Sequence, residues 1–279
     1  MKVTFFGTTT LLFDDGKDQL LFDAHFTRPS LGRYIFGKGR TDTALAEELL
    51  TLHRVDRLRA IFVSHSHHDH VMDAPYIANR CGAVIYGSSS TLNVARGGGV
   101  PEDRLVEFRG GERFEIGAFS VTVIPSLHSK PTALNNDLGQ TIDAPLTQPA
   151  RLRDYREGGS FDFLVEAEGK NWLIRPSFNY IPGQLDGIRA DVLFLGVAGL
   201  AKADRDTENA FFAETLEKTG AKLVIPVHWD NFFSRLDRPV RGMPPLIERT
   251  EVVFDQLAQR CAAAGADCLI QIPGTSVTL

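Results

Sequence analysis

Apolar residues come in short runs separated by turn chemistry. Val3-Thr4-Phe5-Phe6, Leu11-Leu12-Phe13 and Leu20-Leu21-Phe22, with Asp15-Gly16 and Lys17-Asp18 between the second and third, predict a meander of strands. After Thr41-Asp42 the period lengthens. Leu45, Leu49 and Leu52 recur on one helical face and lead into the strand Ala60-Ile61-Phe62-Val63. A helix near Ala74 to Arg80, the strand Ala83 to Tyr86, a turn at Gly97 to Gly99, and strands at Leu105 to Phe108 and Phe119 to Ile124 follow. The rhythm then repeats with strands at Phe161 to Glu166, Trp172 to Ile174 and Val192 to Leu195. A helix from Glu208 to Lys218 stops at Gly220, and a strand spans Leu223 to Ile225. A second helix from Glu251 to Ala264 stops at Gly265, before a strand from Cys268 to Ile272. This alternation predicts a layered α/β fold. Gly16-Lys17-Asp18-Gln19-Leu20-Leu21 and Gly169-Lys170-Asn171-Trp172-Leu173-Ile174 share spacing and apolar pattern, which suggests two related halves. Ser129 to Gly159 has no periodicity and reads as a long excursion of the kind that covers functional sites.

The expected arrangement is one domain, residues 1–279, with an inserted loop at about 129–159; chains of this length commonly form a single α/β unit. A hydrophobic content of 43% and a charged content of 23% suffice for a substantial core. The net charge of -5 gives no broad positive field, which argues against a nucleic-acid partner. Cys81, Cys261 and Cys268 lack CxxC spacing, so neither a disulfide framework nor a cysteine zinc site is expected. The N-terminal stretch reads as a strand rather than a signal segment, and no apolar run is long enough to cross a bilayer. A soluble, cytoplasmic protein with no membrane partner is the expectation.

One stretch does not fit a purely structural account. SHSHHDH, residues 64 to 70, directly follows a buried strand and holds four of the eight histidines. Imidazole and carboxylate together suit zinc, manganese or iron. A tight loop of this H-x-H-x-D-H spacing can turn His65 and His67 toward one cation, and Asp69 and His70 toward a neighbouring one. His128 and His228 also follow apolar strands, and ligand sites in α/β proteins gather at strand ends. A cation held by neutral imidazoles lowers the pKa of its water from 15.7 toward roughly 7, which makes a nucleophile at neutral pH; Asp69 is placed to hold that water or move its proton.

On these residues the chain resembles the metallo-β-lactamase fold superfamily of metal-dependent hydrolases, whose signature is this loop with separate downstream histidines. The resemblance implies an αββα sandwich of two similar halves with metals at the sheet edge between them. It assigns His65, His67 and His128 to one metal and Asp69, His70 and His228 to the other. The ions implied are one or two zinc, with manganese or ferrous iron as alternatives. In two-metal members a bridging aspartate follows the strand after the third histidine. Here LIRPSFN places Ser177 at that point, with Asn179 as the other alignment, and a hydroxyl is a poorer ligand than a carboxylate. Asp23-x-His25-Phe26-x-Arg28-Pro29 and the insertion NNDLGQTIDAPLTQPARLRDY look most like the group containing the L-ascorbate-6-phosphate lactonases.

Asp23 and His25 are read as outer partners that orient the ligands, with plain surface placement the alternative for His25. His68 fills a variable slot and is read as solvent-facing or as such a partner, and His53 as structural. Lys130 and Asn231, close in sequence to His128 and His228, are candidates to stabilise an oxyanion or leaving group; the alternative is exposed loop. Arg151, Arg153 and Tyr155 are candidates for binding an anionic small-molecule substrate. The activity expected is hydrolysis of an ester, lactone or phosphodiester. The alternatives are a non-haem iron oxygenase using Asp69, His70 and His228, a metal-dependent nuclease, or a scaffold that has lost a metal.

Overall fold

A computed structural model describes residues 1–131 and 136–279, so residues 132–135 of the predicted excursion lie outside the described residues. Two seven-stranded sheets form the body. The first runs in the order Thr275–Thr278, Lys2–Gly7, Thr10–Asp14, Gln19–Phe22, Leu58–Phe62, Val84–Gly87, Leu105–Glu107. The second runs Asp267–Cys268, Leu223–Val227, Val192–Gly196, Lys170–Arg175, Ser160–Ala167, Phe119–Ser126, Arg113–Ile116. Each has antiparallel strands at one side and parallel strands at the other, and the matching Gly16 and Gly169 segments sit at equivalent hairpins. The two-halves expectation is met.

The central strands are buried on both faces, which is why they read as continuous apolar runs rather than alternating ones. The period of two divides them between two cores. Phe5, Phe13, Leu20, Phe22 and Phe62 join the core between the sheets, while Phe6, Leu12, Leu21 and Ile61 pack under the helices Thr43–Leu52, Ala74–Cys81 and Ser89–Gly97. Aromatic rings stitch sheet to sheet: Phe13 lies 5.6 Å from Trp172 and 5.7 Å from Phe194, and Phe22 lies 5.5 Å from Phe163. Helices Arg205–Phe212 and Thr250–Ala264 pack against the second sheet, completing the αββα layers. No helix among the described residues is long and apolar enough to cross a membrane.

Elements that differ from the expectation include the following. The helix predicted to run to Lys218 is α-helical only over Arg205–Phe212, and Ala213–Glu217 widens into a π-turn. There Thr215 and Thr219 donate their hydroxyls to the carbonyls of Phe211 and Thr215, which competes with the helical ladder. The strand predicted at Cys268 to Ile272 stops at Asp267–Cys268, because the chain crosses to the other sheet through Gly274 and pairs as Thr275–Thr278 with the first strand. Helix Ser89–Gly97, capped by Ser88, had no strong apolar period to announce it.

The loop after Gln19–Phe22 is fastened to the histidine motif by Asp73. One oxygen of Asp73 accepts from the backbone N–H of Phe26 (2.7 Å) and of Thr27 (2.6 Å). Burial raises its carboxyl to about 6 despite those donors. A carboxyl whose folded pKa is raised favours the folded state below its unfolded value of 3.8 and loses that advantage as pH climbs through about 6. The difference corresponds to about 3 kcal/mol. Asp73→Asn, which keeps an acceptor for both N–H groups, is expected to gain on the parent by about that amount between pH 4 and pH 7. Urea denaturation at both pH values measures it, and parallel pH profiles would refute it.

Candidate metal centre

The motif begins where the parallel strand Leu58–Phe62 ends. Val63 still donates its N–H to Tyr86 (3.0 Å), and Ser64 N–H donates to the Asp23 carboxylate at 2.8 Å. The chain stays extended through His67 and then enters a four-residue helix, His68–Val71. That change of direction separates the side chains into two sets. His65, His67 and His128 bring one donor atom each within 4.8 Å of one another, and so do Asp69, His70 and His228. The first three rings are nearly equidistant, with centroids 4.8, 4.8 and 4.7 Å apart and planes close to perpendicular. In the second set an Asp69 oxygen lies 3.7 Å from His70 Nε2 and 3.4 Å from His228 Nε2. His65 and His70, with centroids 3.8 Å apart, join the two sets.

The donor chemistry fits divalent metals. His65 Nε2 is buried without a hydrogen-bond partner, while its Nδ1 hydrogen-bonds the Ser64 hydroxyl at 3.1 Å. His128 turns Nδ1 to the Ser129 carbonyl at 3.0 Å, leaving Nε2 for a ligand. Burial holds His65 well below the ordinary histidine range and His128 at about 3, so both are neutral, the form that ligates. Burial pushes Asp69 up, but His70, the hydrogen bond to His228 and His68 outweigh it and keep the carboxylate well below its usual range. Burial pushes His228 down, and Asp69 overcomes it and raises that imidazole.

Outer partners fix the rings. Asp23 accepts from His70 Nδ1 at 2.7 Å, from Ser64 Oγ at 3.0 Å and from the Thr9 hydroxyl. Asp137, from the inserted loop, takes His67 Nε2 at 3.1 Å. The loop is itself tied to the motif through Ser66 N–H, which donates to the Glu157 carbonyl at 2.8 Å. A carboxylate behind a ligating imidazole sets its orientation and basicity, and losing one typically costs about 10–100-fold in metal affinity. Asp137→Ala should therefore surrender metal to a competing chelator at a concentration lower by about that factor. Equal retention would show the contact to be idle.

His228 is held from behind. It adopts a left-handed conformation, φ 61°, as do Thr8 at 52° and Asp23 at 53°, a clustering typical of functional sites. His228 N–H donates to the Thr8 carbonyl at 2.5 Å, and Thr8 N–H donates to Asp230 at 2.8 Å. Asp230 forms a buried ion pair with Arg28 at 2.7 Å, and Arg28 also donates to the Phe6 carbonyl at 3.0 Å. Gly7, φ 94°, passes so close that a Cβ would lie 1.9 Å from the Arg28 guanidinium.

The two sets open onto one cavity of about 760 Å³, reached by His67, Asp69, His128 and His228. Lys130, Ser177, Asn179, Arg153 and Tyr155 also line it. Asp23 and His25 lie behind the ligands, and His25 is fully buried with Nδ1 3.1 Å from the Thr8 hydroxyl, so the surface alternative is excluded for it. Asn231 is not in the cavity wall; its side chain caps Phe233 N–H and its backbone pairs with Arg241, which turns it aside. Arg151 is likewise outside, in a short strand pair with Lys38. The solvent-facing alternative for His68 fails: it is buried, 5.2 Å from the Tyr34 ring, and burial lowers it to about 4. His53 ends its helix against the Phe6 ring, a structural role as expected. Asp137, Tyr34 and Glu248 at the cavity carried no local signal in the sequence.

A family model described as the β-lactamase superfamily domain matches residues 19–229, which contain both ligand sets. The chain belongs to the metallo-β-lactamase superfamily. At the level of that superfamily it is a metal-dependent hydrolase. A metal-dependent hydrolase from Roseiflexus castenholzii is 28% identical over 228 residues, covering 81% of this chain and 80% of the relative. Among solved structures, the metallo hydrolase Igni18 from Ignicoccus hospitalis superposes with a TM-score of 0.61 at 14% identity, covering 99% of this chain and 97% of that one. CmlA, a diiron β-hydroxylase from Streptomyces venezuelae, gives 0.60 at 14% identity, covering all of this chain but 54% of its own. At such identities the structures speak for the shared fold alone.

Proposed function

We propose that the protein hydrolyses an ester, lactone or phosphodiester in an anionic small molecule, using one or two divalent ions, zinc before manganese or iron. His65, His67 and His128 would hold one, and Asp69, His70 and His228 the other. The observation that carries this is the pair of three-donor sets sharing one cavity wall. When bound, such ions supply an acidified water and polarise the scissile oxygen. The remaining work falls to the chain. Asp69 turns one oxygen toward His70 and His228 and the other toward His68, 3.7 Å away, and as an anion it can accept the proton of the attacking water. Lys130, inside the cavity, can neutralise charge developing on the leaving oxygen. Ser177, in the cavity wall, offers only a hydroxyl, a poorer ligand than a carboxylate, so each set keeps three strong donors and one of the two ions would be held more weakly. The three free cysteines accord with a reducing, cytoplasmic setting.

The oxygenase alternative draws on Asp69, His70 and His228, the two-histidine, one-carboxylate pattern of non-haem iron sites. Metal analysis of the purified protein, with hydrolysis of p-nitrophenyl acetate and bis(p-nitrophenyl) phosphate before and after chelation, separates the two. One to two equivalents of zinc or manganese, with turnover lost on chelation and restored by the ion, is the expected result. Redox-active iron without metal-dependent hydrolysis would overturn it.

A further inference from the structure

The cavity joins two kinds of recognition surface that hydrolysis itself does not require. Paired aromatic rings form parts of its wall. Phe232 and Phe233 lie 4.4 Å apart, with Phe232 5.3 Å from the His228 ring and Phe233 5.7 Å from Tyr34. Phe178 and Phe211 form a second pair at 4.4 Å.

Four cations share the wall, namely Lys130, Arg153, Arg156 and Lys202, and none enters an ion pair among the described residues. They are not equivalent. Lys130 acts on Asp204, and Lys202 on Glu248, both acids of the same wall. Arg156 acts on Asp137, whose carboxylate is already engaged by His67, and Arg153 lines the same wall. A guanidinium fork pairs with planar or tetrahedral oxyanions in two-point geometry, and free forks beside a metal centre in a net acidic chain suit a negatively charged ligand.

We propose that the substrate is an anionic amphiphile, with a flat apolar body seated against the ring pairs and an oxyanion held by Arg153 and Arg156. The inference rests on the hydrolase reading only for the scissile bond, so its test uses binding without turnover. Calorimetric titration of the metal-loaded protein with 1-naphthalenesulfonate and with neutral 1-naphthalenemethanol should show the sulfonate binding about tenfold or more tightly, the scale of one good charge-assisted contact. Arg153→Ala/Arg156→Ala should erase that preference while keeping affinity for the alcohol, and the retained affinity reports an intact fold. Arg153→Lys/Arg156→Lys should recover part of it, and Phe232→Ala should weaken both ligands. Equal affinity for the two ligands, no binding of either at millimolar concentration, or a preference lost only in Lys130→Ala/Lys202→Ala would overturn the proposal. Failure of the hydrolysis assay alone would leave it standing.

Discussion

His67→Ala is expected to lower metal-dependent hydrolysis by at least about a thousandfold. Metal-assisted hydrolysis draws several kcal/mol of barrier reduction from the ion, and about 4 kcal/mol corresponds to roughly a thousandfold. His67 is one of the three members of the first set, 4.8 Å from the His65 ring and 4.7 Å from His128, so its loss leaves two donors of three. It also strips Asp137 of its partner. The variant should keep its circular dichroism, because the side chain faces the cavity rather than either core. Two readouts are needed: metal stoichiometry should fall, and turnover of p-nitrophenyl esters with it. Undiminished turnover would remove the hydrolase reading altogether.

Asp230→Ala should be among the most damaging single changes to stability outside the apolar cores. Removing one member of a buried ion pair leaves the other charge without compensation, at a cost of about 3–5 kcal/mol. Arg28 and Asp230 are 4% and 1% exposed at the side chain, so solvent cannot rescue the guanidinium. The loss reaches the site as well, because Asp230 holds Thr8 N–H and Thr8 holds His228. Chemical denaturation measures the first effect, and metal retention by the second set measures the second. Arg28→Met with Asp230→Ala should restore part of the stability, since no orphan charge then remains. A destabilisation below about 1 kcal/mol for Asp230→Ala would mean that the pair is solvated.

How far the sequence could be read depended on the range of the interaction behind each feature. Helix Thr43–Leu52 was legible because Asp42, its cap, and Leu45 and Leu49, on its buried stripe, are near neighbours, although Leu52, read on the same face, is exposed and Leu50 is buried instead. Gly265 announced the end of helix Thr250–Ala264 for the same reason, being a left-handed cap at φ 65°. The π-turn at Ala213–Glu217 was hidden, since Thr215 and Thr219 turn the ladder through hydroxyl bonds that a helical period does not reveal. The last strand was missed because Thr275–Thr278 is polar and takes its stability from the edge of a strand at the other end of the chain.

The heptapeptide and the strand ends before His128 and His228 were present in the linear order of residues, and with them the superfamily and the six candidate ligands. Each of the three segments is announced locally, as a histidine just past an apolar strand, although the strand before the motif belongs to one sheet and those before His128 and His228 to the other. Asp137 behind His67, Arg28 against Asp230, and the place of Arg156 beside Arg153 at the cavity belong to another order of information. The first two join a loop residue to a partner far along the chain, and a polar side chain carries no sign of which partner it will meet. Only the packing of the two sheets, which brings those loops together at one edge, selected those contacts.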